Sequence, residues 1–247
     1  MEDRHYHLLN EIQDSHWWFR ARNRILRTIL AEHLHSLPSP PTGFTLLDVG
    51  CGTGAMLPML HEFGAVTGVD RSPQAVAICR QRGHAAVFLD DDPIWQQRRY
   101  HLLTFFDVLE HVEDDAALLA RYLSWLAPHG LVMITVPAFM CLWSEHDEIN
   151  RHYRRYHKAG LQQLLQTVGL KPLRLSYYNS LLFLPIASLR LLKKALPSQP
   201  QPPHSDFQIL RPENRWLEAI FAAERFWLKR HGLPLGLSLF CLARLKE

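Results

Sequence analysis

Leu47-Asp48-Val49-Gly50-Cys51-Gly52-Thr53-Gly54 (LDVGCGTG) decides how this chain of 247 residues is read. An apolar run from Phe44 enters a turn with glycine at 50, 52 and 54. Glycine lets backbone approach a ligand closely, and the N-terminus of a following helix offers free N–H groups to an anion. Asp48, two places before the first glycine, requires that the ligand also carry positive charge. Cys51 lies inside the same turn. These features point to a zwitterionic, cationic cofactor.

Two cofactors meet part of that description. Gly50, Gly52 and Ala55 fit a dinucleotide fingerprint, with Asp70 at the expected ribose-binding distance. Asp48 separates the two. It would repel a pyrophosphate and attract an ammonium or sulfonium, a difference of several kcal/mol at about 4 Å and an effective dielectric near 20. S-adenosylmethionine therefore fits better than a nicotinamide dinucleotide. In either case Asp70 suits two ribose hydroxyls, and Arg71 would lie along the adenine face.

Outward from this turn the sequence alternates strand and helix. Strands are expected at 44–49, 65–70, 85–89, 100–105, 131–136 and 173–178. Helices are expected at 55–63, 73–82, 115–126 and 158–168. Ser72 and Pro73 mark one helix start, and Gly169 marks a helix end. Such alternation implies a parallel sheet with helices on both faces. Ligands bind beyond the carboxyl ends of such strands. Phe106 and Asp107 should then meet the amino-acid part of the cofactor, with Asp107 on its ammonium group. His111 is a candidate general base there.

LDVGCGTG, VTGVDRS (66–72) and FFDVLEHVED (105–114), in this order, resemble the class I S-adenosylmethionine-dependent methyltransferases over roughly residues 45–175. The likeness is to the group that includes the ubiquinone-type O-methyltransferases. HWWFRARNRIL (16–26) and LWSEHDEINRHYRRYHKAGL (142–161) resemble an uncharacterised subgroup. The resemblance implies a Rossmann-like α/β fold with a seven-stranded, mostly parallel sheet. Its last strand, placed at 235–245, returns antiparallel between the fifth and sixth. It also implies that Asp90 or Asp91 accepts the adenine amino group. An N-terminal helix would close over the cofactor, bringing Trp18 against it and Arg22 to its carboxylate. The cofactor is S-adenosylmethionine, and the product S-adenosylhomocysteine.

Residues 3–36 read as one amphipathic helix, and LPSPPTG (37–43) as its stop. Residues 1–43 are expected to form a helical lid. Residues 44–179 and 235–247 would form the core, and 180–234 a helical insertion acting as a cap. In that insertion an apolar helix (181–196), a Pro/Gln/Ser linker (197–205) and a Trp-rich helix (214–231) follow one another. Trp216, Phe221, Phe226 and Trp227 are expected to pack on the first of these helices, with contact to a lipid surface as the alternative.

The segment from Trp143 to Tyr156 carries more ionisable and aromatic groups than a connection needs. His146 and His152 are candidate proton acceptors. Arg151, Arg154 and Arg155, with Trp143 and Tyr156, are candidate substrate-binding groups for a phosphate or carboxylate. The rival is a loop tied by internal salt bridges. The spacing of His146, Asp147 and His152 matches no strong metal-ligand pattern, so no metal is expected.

A net charge of +3 with a mixed surface gives no reason to expect a nucleic-acid partner. Four cysteines without a C-x-x-C pair read as reduced thiols. The N-terminus lacks a signal-peptide stretch, and no apolar run reaches the roughly 18 residues of a spanning helix. The expected location is cytoplasmic, with peripheral membrane association admitted. The expected activity is methyl transfer to an oxygen of a hydrophobic, lipid-linked or glycan-type small molecule. The alternatives are a NAD-dependent oxidoreductase and a non-catalytic cofactor-binding protein.

Overall fold

A computed structural model describes residues 3–34, 43–195 and 214–246. Two helices, α1 (Asp3–Ile12) and α2 (Trp17–Leu34), precede the sheet. The single expected helix is broken because the His16 Nδ1 accepts the Trp18 N–H at 3.2 Å, starting a new helix there. The expected linker at 197–205 lies outside the described residues.

The core alternates as expected: β1 (Thr45–Val49), α3 (Leu57–His61), β2 (Ala65–Asp70), α4 (Pro73–Gln81), β3 (Val87–Leu89) and β4 (Tyr100–Phe106). It continues with α5 (Asp115–Leu123), β5 (Leu126–Pro137), α6 (Glu145–Ile149), α7 (Lys158–Thr167) and β6 (Leu170–Tyr178). After α8 (Phe183–Ala195) and α9 (Arg215–Leu228), β7 (Ser238–Leu245) completes a seven-stranded sheet of order β3-β2-β1-β4-β5-β7-β6. Strands β1 to β5 pair in parallel, and β7 lies antiparallel between β5 and β6. Strand β5 starts five residues before the expected position. Its register against β4 jumps from Tyr100↔Leu126 to Leu102↔Leu131, so Pro128-His129-Gly130 bulges within the strand instead of preceding it. His129 takes φ +59° in that bulge.

Both sheet faces are covered. One apolar cluster joins Ile25, Ile29 and Leu30 of α2 to Leu46, Leu102 and Met133 of the sheet. The other joins Leu119 and Tyr122 of α5 and Leu161 and Leu165 of α7 to the opposite face. The helices of the insertion do not follow the expected pairing. Phe221 of α9 is buried on α2, edge-on to Trp17 with ring centroids 6.3 Å apart. Trp216, Phe226 and Trp227 are exposed instead. Glu218 of α9 meets Arg24 at 2.9 Å and Arg20 at 3.2 Å. These contacts hold α9 to α2, while Ala187 of α8 packs with Leu142 and Leu237. Among the described residues no helix is long and apolar enough to cross a membrane.

Candidate active site

The carboxyl ends of β1, β2, β4 and β5 open into one cavity of about 1300 Å³, roofed by α1, α2 and α8. Its floor is the glycine turn. Gly50 takes φ +67° with its N–H on the Val69 carbonyl at 2.8 Å. A Cβ there would stand 2.7 Å from Val108 Cγ2, so any larger residue must displace that side chain as well as adopt a strained positive φ. Gly52, at φ +55°, has nothing within 4 Å of the Cβ position and lines the cavity. Cys51 lines it too, whereas Gly54 packs behind the turn against Cys79 and His84.

Two strand-end carboxylates are set by partners across the sheet. Asp48 is paired in register with Thr104, whose hydroxyl donates to it at 2.6 Å. Burial raises the Asp48 carboxyl to about 7, against the smaller opposing pull of Thr104. A buried carboxylate held this way favours a cation. Asp107 takes φ +55°, and its N–H donates to the Thr135 carbonyl at 3.0 Å. The Thr135 hydroxyl donates to Asp107 Oδ1 at 3.0 Å, and Arg22 donates to Oδ2 at 2.5 Å. Arg22 is buried, with its guanidinium 5.0 Å from the Trp18 ring and 5.7 Å from the Phe106 ring. Arg22, Trp18 and Phe106 thus meet as one cluster over the floor.

Asp70, at the end of β2, accepts the Gly52 N–H at 2.9 Å and the Ser72 N–H at 2.8 Å. Burial nevertheless raises its carboxyl above the ordinary value. Each oxygen keeps a lone pair for a further donor. Arg71 lines the same end of the cavity. Asp90 lines it as well, but its carboxylate accepts from Arg121 at 2.7 Å and from the Tyr122 hydroxyl. It is tied back to α5, not free as expected for an adenine contact. Asp91 is exposed and lies outside the lining.

The loop after β5 divides differently from the sequence expectation. Trp143, His146, His152 and Arg155 line the cavity; Arg151, Arg154 and Tyr156 do not. Arg154 reaches the Val112 and Glu113 carbonyls and Asp115. The Tyr156 hydroxyl donates to Asp115 at 2.6 Å. Arg155 is buried and gives two 2.8 Å bonds to Asp147. Burial raises the Asp147 carboxyl, but the bonds from His152 and Arg155 outweigh it and hold it well below the ordinary range. Arg154 and Arg155 thus spend donors on the protein, as in a loop tied by internal salt bridges.

His111 Nδ1 lies 2.9 Å from the Asn150 carbonyl oxygen, and the ring sits edge-on to His152 at 4.5 Å between centroids. Burial, then the neighbouring His152, lower the His111 imidazole to about 3, so it is neutral at physiological pH. Glu110 beside it is buried, and burial followed by Asp107 pushes its carboxyl well above the ordinary value. Glu110, His111 and His152 each offer one ligand-type atom within 4.8 Å of the other two.

Several lining residues escaped the sequence reading. Gln13, between α1 and α2, exchanges hydrogen bonds with Thr53, at 2.6 Å from the Thr53 hydroxyl. Asn179, Leu237 and Ser238 come from the β6 and β7 ends, and Ile186, Leu189 and Arg190 from α8. Behind the lining, Thr104 and Thr135 carried a usable signal: each is a buried polar residue in an otherwise apolar stretch, 102–106 and 131–137, and each serves an acidic neighbour.

A family model described as a methyltransferase domain matches residues 17–175. The ubiquinone biosynthesis O-methyltransferase of Xanthomonas axonopodis pv. citri (strain 306) is 30% identical over 153 residues, covering 53% of this chain and 64% of that one. That of Methylobacterium sp. (strain 4-46) is 32% identical over 102 residues, covering 38% and 41%. The chain thus spans less than two thirds of the length of these relatives. The plantazolicin methyltransferase BpumL, solved with a monoazolic desmethylPZN analog and S-adenosylhomocysteine, is similar in fold. Its TM-score is 0.57 at 14% identity, covering 99% of this chain and 90% of that one.

Proposed function

Since the chain belongs to the class I S-adenosylmethionine-dependent methyltransferases, we propose that it transfers the sulfonium methyl group to a hydroxyl oxygen of an acceptor with an extended apolar part. The carrying observation is the second half of the cavity. At about 1300 Å³ it exceeds the roughly 300–1,000 Å³ common for one ligand, leaving room for an acceptor beside the cofactor. Its outer wall is apolar, with Ile186, Leu189 and Leu237. Its inner end holds Glu110, His111 and His152, where a hydroxyl proton can be handled.

Asp70 then holds the ribose, and Asp48 and Asp107 the positive end of the methionine part. Arg22, already on Asp107, reaches the cofactor carboxylate. Methyl transfer is an in-line displacement, and most of the rate comes from holding oxygen, carbon and sulfur in line. The dinucleotide alternative loses its support, because the family uses a sulfonium cofactor and the buried Asp48 disfavours a pyrophosphate. The ubiquinone-type relatives, named as O-methyltransferases, support an oxygen acceptor. The exposed apolar stripe Trp216, Ile220 and Trp227 on α9 supports peripheral contact with the lipid surface from which such an acceptor is drawn.

The test is a series of phenols and alcohols with alkyl tails of increasing length, each matched by an amine. Hydroxyl methylation with kcat/KM rising with tail length is expected. Equal methylation of the amines, or no dependence on the tail, would sink the reading.

A further inference from the structure

Asn179 stands just past the end of β6, on the side of the cavity lined by Ile186 of α8 and by Leu237. Its side chain is 2% exposed, and its Oδ1 has no hydrogen-bond partner among the described residues. A buried carboxamide oxygen without a donor is unfavourable. Asn179 lines the cavity, so a ligand there can bring the missing donor.

The backbone is clamped to keep this side chain in place. Asn179 takes φ +58°, and its carbonyl accepts the Leu237 N–H at 3.2 Å. Glu224, buried on α9, accepts the next two N–H groups, Ser180 at 2.6 Å and Leu181 at 2.8 Å. The Ser180 hydroxyl donates to the Leu235 carbonyl. Two segments far apart in sequence, α9 and 235–237, thus fix one left-handed turn. Asparagine tolerates that conformation, but glycine adopts it with no Cβ penalty and buries no polar atom. The turn alone does not call for a carboxamide.

We propose that Asn179 is a specificity-determining residue whose carboxamide oxygen accepts a hydrogen bond from a second polar group of the acceptor, an O–H or N–H other than the one methylated. The cofactor is held from the ends of β1, β2 and β4. The reacting hydroxyl belongs at the inner end of the cavity, whereas Asn179 shares the outer wall with Ile186 and Leu237. An acceptor that spans both ends brings its second donor to Asn179. One without that donor leaves the oxygen buried and unpaired. A site built for a hydrogen bond rejects such an analogue far more strongly than an apolar wall rejects a wrong size. This role rests on the hydroxyl-acceptor reading.

The test uses the ortho, meta and para isomers of an alkyl-tailed benzenediol, each beside its monomethyl ether, which keeps one hydroxyl and loses the other. Affinity for the complex with S-adenosylhomocysteine and kcat/KM with S-adenosylmethionine are both read. Wild type is expected to favour at least one diol over its ether by about tenfold, and Asn179→Gly to lose that preference. Asn179→Asp keeps an accepting oxygen and tolerates the same φ, so it should retain the preference. S-adenosylhomocysteine binding at the wild-type level shows that both variants are folded. A preference unchanged in Asn179→Gly, or absent from wild type for every isomer, overturns the proposal; methylation of the hydroxyls in that case leaves the acceptor reading intact. Loss of the preference in binding, with no hydroxyl methylated by wild type, does the reverse. Saturable binding of none of these compounds overturns both.

Discussion

Asp48 is an acid whose ordinary value near 3.8 is raised to about 7 by burial. A raised folded value means that the native state prefers the protonated form. The stability this confers is complete below about pH 3.8 and is lost as pH rises through about 7. Without cofactor, Asp48→Asn should therefore melt higher than wild type at pH 8, with the gap vanishing toward pH 4. The penalty is released when a cation arrives. Cofactor binding at pH 6 should expel a proton from Asp48, seen as a calorimetric enthalpy that changes with buffer ionisation heat, and Asp48→Asn should lose that dependence. At Arg155 the expectation reverses what the sequence implied. Arg155→Leu leaves Asp147 buried and unpaired, and should cost about 3–5 kcal/mol in denaturant unfolding. Arg155, Arg154 and Tyr156 looked like ligand-binding groups because their partners, Asp147, two backbone carbonyls and Asp115, are brought to them only by the fold. The glycine turn was legible because its glycines stand within five residues of one another, and Asp48 and Asp70 because each is an acid at the end of an apolar run; the partner that orients Asp48, Thr104, stands 56 residues away and was not.

At the scale of elements, periodicity located the core helices and strands, and the bulge of β5 was missed because the apolar run taken as the strand begins only at Leu131, after Pro128 and Gly130. The insertion was the least legible part. Trp216, Phe221 and Trp227 share one helix, and hydropathy alone cannot say which of them faces the core. The α2 surface decides it, since Trp17 and the arginines that bind Glu218 select the Phe221 side. Phe221→Ala should cost about 3–5 kcal/mol of stability. Trp216→Ser, at a side chain 83% exposed, should change stability by no more than about 0.5 kcal/mol. It should weaken sedimentation with anionic lipid vesicles. Unchanged sedimentation would remove α9 from any lipid contact.

Over the whole molecule, the parallel pairing of β1 to β5 follows from the alternation of strands and helices, with the family likeness supplying the antiparallel β7 between β5 and β6. The half of the cavity set by β1, β2 and β4 follows the sequence closely, since each strand delivers its own residue at its carboxyl end. The other half is assembled from a loop, α8 and two strand ends that lie far apart in sequence. Its chemistry emerges only once Glu110, His111 and His152 meet. The cofactor half carries the account, and the most direct test is calorimetric titration of S-adenosylhomocysteine into wild type and Asp70→Ala. Two lost hydrogen bonds to a charged group, at about 1.5–3 kcal/mol each, predict binding weakened at least a hundredfold in a variant that still unfolds cooperatively. Equal affinity of the two proteins would contradict the placement of the cofactor at the ends of β1 and β2.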